Sequence, residues 1–139
     1  KNKNQEPIHV MVLQPTSPLR ELVHAKQFIT HYFDNQLNSA FSVIPMRQHP
    51  VECIRVFGDS WDYLKTRTKK TYQRQTYEQT DYFIDGSYYI CSIQFLKSNN
   101  GLVKKGYSTP FIINDKFQID IDEYEDLVMA EAVYKFRNQ

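Results

Sequence analysis

The amino-acid sequence predicts an α/β fold, and three stretches carry that expectation. IHVMVL, residues 8–13, is an apolar run rich in β-branched side chains and short enough for a buried strand. Directly after it, Leu19, Leu22, Val23, Ile29 and Phe33 recur close to helical spacing. DEYEDLVMAEAVYKFR, residues 122–137, carries a helical stripe of Leu127, Ala130, Val133 and Tyr134.

The switch from the first strand to the first helix falls inside LQPTSPLR, residues 13–20. Ser17 is expected as N-cap and Pro18 as first helical residue, because a cap hydroxyl accepts from an orphan N–H and proline needs no partner for its nitrogen. The helix then runs from residue 18 to about 34. In an open α/β sheet such a corner lies at the carboxyl edge of the strands, where ligands bind, and Gln14 sits there.

AFSVIPM, residues 40–46, reads as a second strand, and ECIRVF, residues 52–57, as a third. His49-Pro50 between them marks a turn, since the residue before proline is pushed out of the helical region. WDYLKTRTKKTYQRQTYEQTDY, residues 61–82, mixes basic and aromatic residues without a sustained period and reads as an extended arm or loop. Asp85-Gly86 is a turn dipeptide ahead of the strand SYYICSI, residues 87–93. Asn99-Asn100-Gly101 closes a short helical or looped segment; PFIIN, residues 110–114, and FQIDID, residues 117–122, are expected strands.

A length of 139 residues limits the chain to one domain, and a net charge of +1 supplies no field for nucleic acid or membrane. Ten tyrosines and nine phenylalanines argue for packed structure or stacking surfaces. No apolar run reaches the roughly 20 residues needed to cross a bilayer. Cys53 and Cys91 have neither CxxC spacing nor a secretory context, so inert core thiols in a reduced, cytoplasmic protein are expected. The opening KNKNQEP has no initiating methionine, which suggests a fragment or processed chain.

Two clusters could carry chemistry. In a strand, Asp120 and Asp122 point to one face and could converge on a magnesium ion, which accepts one or two carboxylates and completes its shell with water and phosphate. Asp122 also suits an N-cap with Glu125 three residues on. Arg74, with Lys69 and Lys70, could hold a triphosphate or an acidic sugar, although composition alone favours a solvated arm. Interleaved with Tyr72, Tyr77 and Tyr82, the same cations could stack on single-stranded nucleic acid, a reading that no RRM, KH or zinc signature supports. His24 and His31 are seven apart on one helical face, lack a third ligand, and read as ordinary surface histidines. There is no GxSxG, Walker loop or GxGxxG.

LQPTSPLR, together with IDID just before a C-terminal helix, resembles the acylneuraminate cytidylyltransferases, which make CMP-activated sialic acids. RQTYEQTDYFIDGSYYI, residues 74–90, is similar to that family's segment of Arg-Gln, a spacer, Asn-Gly-Ala and a strand ending Tyr-Ile. The likeness covers nearly the whole chain in the same order, and the form of the Gln-Pro-Thr motif favours the nonulosonic acid branch over the Kdo branch.

The resemblance implies the C-terminal part of a Rossmann-like nucleotidyltransferase domain, with residues 61–82 as a dimerisation arm of a homodimer. It implies that Gln14 faces the sugar site, that Arg74 and Tyr89 help hold the sugar acid, and that Asp120 and Asp122 bind magnesium. The implied reaction transfers CMP from CTP to the anomeric hydroxyl of a nonulosonic acid such as N-acetylneuraminic acid, or a related acid such as pseudaminic or legionaminic acid. Pyrophosphate is released.

Three departures stand beside the likeness. Asn-Gly-Ala is Asp85-Gly86-Ser87 here, which adds a charge. The spacer after Arg74-Gln75 lacks the usual proline and is one residue longer, so the Arg74 alignment can slip. The family's N-terminal half, with a basic loop of the Pro-Ala-Arg-Gly-Gly-Ser-Lys type that grips CTP, has no counterpart in residues 1–139. The isolated chain is therefore expected to be inactive, and a non-catalytic dimerisation module or inactive fragment is the alternative.

Overall fold

A computed structural model describes residues 8–65, 81–115 and 117–139. The chain divides into two compact units, Lys1–Ile44 with Ile84–Gln139, and Pro45–Phe83.

The first unit is mixed α/β. Strand β1 is His9–Val12, helix α1 Leu22–Asp34 and strand β2 Ser39–Pro45. In the second unit a 3-10 turn, Pro50–Glu52, then precedes β3, Ile54–Phe57, and β4, Ser60–Tyr63. The chain continues through β5, Tyr82–Ser92; α2, Ile93–Asn99; β6, Thr109–Ile112; and α3, Tyr124–Arg137. The four-stranded sheet has the order β1-β5-β2-β6. β1 pairs antiparallel with β5, placing Val12 opposite Tyr89, while β2 and β6 are parallel. The α/β class thus agrees with the sequence, in a mixed sheet rather than a wholly parallel one.

Two apolar clusters hold this unit. α1 buries Phe28 and Tyr32 against Ala40, Tyr88, Ile90 and Ile113, with Met11, Ala25 and Phe111 packed around them. Leu19, Ile119 and Ala130 form the second cluster, joined by Ile121 and Val133. The buried face of α1 is therefore Ala25-Phe28-Tyr32. Of the stripe expected from apolar spacing, Leu22, Val23, Ile29 and Phe33 are exposed, whereas Leu19, ahead of the helix, is buried in the second cluster. Tyr32 can go inside because its hydroxyl lies 2.9 Å from His9 Nδ1 and 3.5 Å from Asn38 O.

α1 also starts later than expected. Its N-cap position is Glu21, without a side-chain cap bond, and Ala25 N donates to Glu21 O at 3.2 Å. Residues 14–20 instead form a closed corner in which Gln14 O accepts from Ser17 N at 3.2 Å and from the Arg20 guanidinium. Once Ser17 is committed to that turn, its hydroxyl does not cap the helix.

Other local expectations shift as well. Asp85-Gly86 lies inside β5 rather than in a turn; Gly86 has φ 74°, a left-handed conformation that glycine adopts without steric cost. FQIDID is irregular chain, held by Ile121 N donating to Thr16 O at 2.8 Å. Without a pleat, the same-face argument for Asp120 and Asp122 does not apply. The capping box of α3 sits one residue beyond the expected pair: Glu123 is N-cap, and Asp126 Oδ2 accepts from Glu123 N at 3.0 Å. On α3, Ala130 is buried and Val133 partly so, whereas Leu127 and Tyr134 are exposed.

α2 ends as its sequence requires, with Ser92 Oγ accepting from Phe95 N at 3.1 Å and Asn100 in the left-handed region. Cys91 is fully buried in β5; burial pushes its thiol pKa up, as for an inert core thiol. Cys53 falls before β3, its thiol 3.7 Å from His49 O. His24 and His31 are half-buried rather than ordinary surface residues, with His24 Nδ1 and His31 Nε2 enclosed and His31 against the Phe111 ring.

In the second unit, β3 and β4 form a two-stranded antiparallel hairpin pairing Val56 with Trp61. Most of the expected arm, including Arg74, lies outside the described residues; at its start, residues 61–63 belong to β4, and Tyr82 at its end opens β5.

Candidate active site

The corner after β1 brings the informative residues together. Gln14 follows the strand end by two residues, as its place in the sequence led one to expect, and its side chain lies over the backbone of Gly86 in β5. A Cβ added at Gly86 would fall on the Gln14 carboxamide oxygen and within 3.3 Å of Asp120 Oδ2. Gly86 thus allows three chain segments to meet: the corner after β1, the entry of β5, and the loop before α3.

Asp120 is fixed from the opposite side. Its Oδ1 accepts from Ser17 Oγ at 3.3 Å, and Ser17 is itself buried. The backbone bond from Ile121 to Thr16 clamps the same two segments. Asp122 differs: it is exposed, and its backbone N–H is taken by Asp126 Oδ2 at 3.1 Å.

Tyr89 stands opposite the last residue of β1. Burial raises its phenol pKa first, and the Asp85 and Asp120 carboxylates raise it further, so the phenol stays protonated and able to donate at neutral pH. Of the sequence-derived site residues, Gln14 and Asp120 therefore meet at the Gly86 backbone, and Tyr89, three residues on in β5, feels the Asp120 charge. Asp122 lies two residues along at the surface, and Arg74 is outside the described residues.

Behind the loop that carries Asp120 runs a polar brace. Arg137, near the end of α3, donates to Asp115 Oδ2 at 2.6 Å and to Leu19 O at 3.0 Å, and pairs with Glu21 at 3.2 Å. Asp115 also accepts from Gln118 Nε2 at 3.2 Å and from Phe117 N at 2.9 Å. Gln118, buried, then receives the Ser87 hydroxyl at 3.5 Å. The end of α3 thereby positions the loop from Asp115 to Asp120 against β5.

Sequence reasoning missed Ser17 as the partner of Asp120 and missed Ser42 altogether. Ser42, fully buried in β2, donates to Asp85 Oδ1 at 2.5 Å and accepts from Tyr88 N at 3.0 Å. A serine interrupting the apolar run AFSVIP is a usable signal, because a buried hydroxyl demands a partner.

A hard cation fits this donor set chemically. Among the described residues no three acidic, histidine or cysteine side chains gather as a metal cage. Magnesium needs only one or two carboxylates when phosphate and water complete its octahedron; the structure places Asp120 beside Gln14 and Gly86, with Asp122 exposed two residues on. Among the described residues no helix is long and apolar enough to cross a membrane.

No protein-family model matches the chain. It is 23% identical over 126 residues to the N-acylneuraminate cytidylyltransferase of Streptococcus agalactiae serotype V, an alignment that covers 90% of the chain and 29% of that protein. The chain thus spans less than a third of the length of this curated relative.

Proposed function

We propose that the chain is part of a cytidylyltransferase that transfers CMP from CTP to the anomeric hydroxyl of a nonulosonic acid such as N-acetylneuraminic acid, releasing pyrophosphate. The observation that carries this reading is the likeness to the streptococcal enzyme along 90% of the chain. The meeting of Gln14, Gly86 and Asp120 at one sheet edge supports it, because this is where ligands bind in α/β sheets.

In this reading the Gln14 carboxamide binds the sugar from the rim of β1, and the protonated Tyr89 phenol donates to the sugar acid. Arg74 supplies a bidentate partner for its carboxylate. Asp120, with Asp122, holds magnesium, which when bound neutralises charge on the phosphates. Ser17 keeps the Asp120 carboxylate turned toward Gln14, and the Arg137 brace keeps its loop in place. These residues orient the acceptor hydroxyl toward the α-phosphorus, and positioning supplies much of the catalysis in such transfers. The protein acts as a homodimer in which residues 61–82 form the dimerising arm.

The full-length protein, incubated with CTP, magnesium and N-acetylneuraminic, pseudaminic or legionaminic acid, is expected to release pyrophosphate and form the CMP-sugar with at least one of them. Absence of product with all three would leave a non-catalytic dimerisation module as the better reading.

A further inference from the structure

Arg137, the last residue of α3, is placed differently from an ordinary helix-end cation. Lys135 in the same turn keeps its side chain 74% exposed and lies 4.0 Å from Glu131, a surface pair of the usual kind. The Arg137 side chain is 21% exposed, and its two terminal nitrogens serve two different segments. Nη1 donates to Leu19 O at 3.0 Å and lies 3.2 Å from Glu21 Oε1, while Nη2 donates to Asp115 Oδ2 at 2.6 Å.

Each segment leads to one half of the candidate site. Leu19 and Glu21 flank Arg20, whose guanidinium donates to the Gln14 carbonyl. Asp115 accepts from Phe117 N and from Gln118 Nε2, and Asp120 follows Gln118 by two residues. Leu19, Ile119 and Ala130 pack together at the same junction, so the corner, the loop and α3 share an apolar cluster as well. Apolar contact is non-directional and fixes no register between segments; a planar fork with a hydrogen bond on each prong does.

We propose that Arg137 is a positioning residue that fixes the corner carrying Gln14 and the loop carrying Asp120 as one body, so that the sugar side and the metal side of the site keep one relative placement. The inference rests on the cytidylyltransferase reading above. Arg137 acts through Leu19, Glu21 and Asp115 and touches no substrate. Spanning both segments takes two nitrogens held in one rigid plane, so the fork matters beyond its charge. A lysine ammonium offers a single nitrogen on a flexible stem and holds one segment at a time.

Arg137→Lys tests this in the full-length protein, because it keeps the charge and removes the fork. The KM for the accepted sugar acid and the magnesium concentration giving half the maximal rate should each rise about 10-fold or more, while the melting temperature stays near wild type. Amide hydrogen exchange supplies a readout independent of activity. The Ile121 N–H, bonded to Thr16 O at 2.8 Å between loop and corner, should exchange about 10-fold faster, and the Ile113 N–H, bonded to Val43 O at 2.8 Å, should exchange as in wild type. Asp115→Asn frees the loop end while leaving Leu19 and Glu21 bound to Arg137, and should produce the same pair of effects.

Wild-type kinetics together with wild-type exchange at Ile121 in Arg137→Lys overturn the proposal, since the charge alone then suffices. A change in only one of the two readouts also overturns it, as does equal acceleration at Ile121 and Ile113, which would make Arg137 a stabiliser of the whole fold. Should Arg137→Lys fail to fold, Asp115→Asn decides by the same measurements, and collapse of both variants makes the clasp a folding element and overturns the proposal. A wild-type protein that makes no CMP-sugar at all removes the cytidylyltransferase reading and this inference with it, an outcome distinct from an active enzyme whose variants keep wild-type kinetics.

Discussion

Ser17 Oγ donates a hydrogen bond to Asp120 Oδ1 over 3.3 Å, joining residues 103 positions apart. The two prolines that flank Thr16 and Ser17 stiffen the corner on one side, and the Ile121-to-Thr16 backbone bond ties down the other. The carboxylate is thereby held in one orientation before any ligand arrives.

Removing that restraint should cost activity without unfolding the protein. Ser17→Ala is expected to lower CMP-sugar formation about 10-fold, as is typical when a group that orients a ligating residue is lost. Asp120→Asn should lower it about 100-fold at saturating magnesium, since a group acting on developing phosphate charge is lost. Asp122→Asn should cost less, because that side chain is exposed. Steady-state rates of pyrophosphate release measure all three, and wild-type turnover in Asp120→Asn would remove the metal assignment.

Gly86→Ala should destabilise the protein by about 1–3 kcal/mol, because φ 74° is strained for any residue with a Cβ and the added methyl falls on the Gln14 side chain. Thermal melting reads this directly. A melting temperature equal to that of the wild type would mean that β5 relaxes at this point and that the contact with Gln14 is not tight.

Gln14→Ala should leave the melting temperature nearly unchanged, since the backbone carbonyl rather than the side chain holds the corner. The KM for the sugar acid should rise about 5-fold to 10-fold, the effect of one neutral hydrogen bond. A large stability loss with unchanged KM would assign Gln14 to folding.

Alkaline pH should unfold the protein early. Burial raises the pKa of the Tyr32, Tyr88 and Tyr89 phenols above 10.0 and that of the Cys91 thiol above 9.0. The native state therefore keeps protons that the unfolded chain releases. Stability is fully present below the unfolded values and falls as pH rises from the thiol's ordinary range through that of the phenols. Melting temperature followed from pH 7 upward should drop beyond about pH 9. A flat profile to about pH 11 would contradict the burial assigned to these groups.

The second unit should pair with another copy. Ile54, Val56, Phe57, Trp61 and Tyr63 of the β3–β4 hairpin are all exposed, and a two-stranded hairpin is only marginally stable in water by itself. Sedimentation should report a dimer, and deletion of residues 61–82 should yield monomers. A wild-type monomer across micromolar concentrations would rule the arm out as a dimerising element.

The sequence by itself determined where most elements lie. β-branched runs made β1 and β2, the Ser92 hydroxyl and Asn100 bounded α2, and the acidic stretch before Leu127 announced α3. These depend on local sterics and on hydrogen bonds within a few residues, which composition and spacing record. The position of Gln14 at a strand end was legible for the same reason.

Tertiary structure decided the choices between near-equal local alternatives. Asp122 with Glu125 and Glu123 with Asp126 are both plausible capping boxes; the second prevails in a chain where Ile121 is already bonded to Thr16. α1 carries apolar residues on more than one face, and the Phe28-Tyr32 face turns inward because Tyr88 and Phe111 wait on the sheet and His9 meets the Tyr32 hydroxyl. Asp85-Gly86 is a turn signal by composition, yet it lies within the 11-residue strand β5, where Ser42 of β2 holds the Asp85 side chain. Burial of Asp85, its pairing with Ser42 and its unmatched oxygen depend on residues 43 positions apart, a separation that no local pattern encodes.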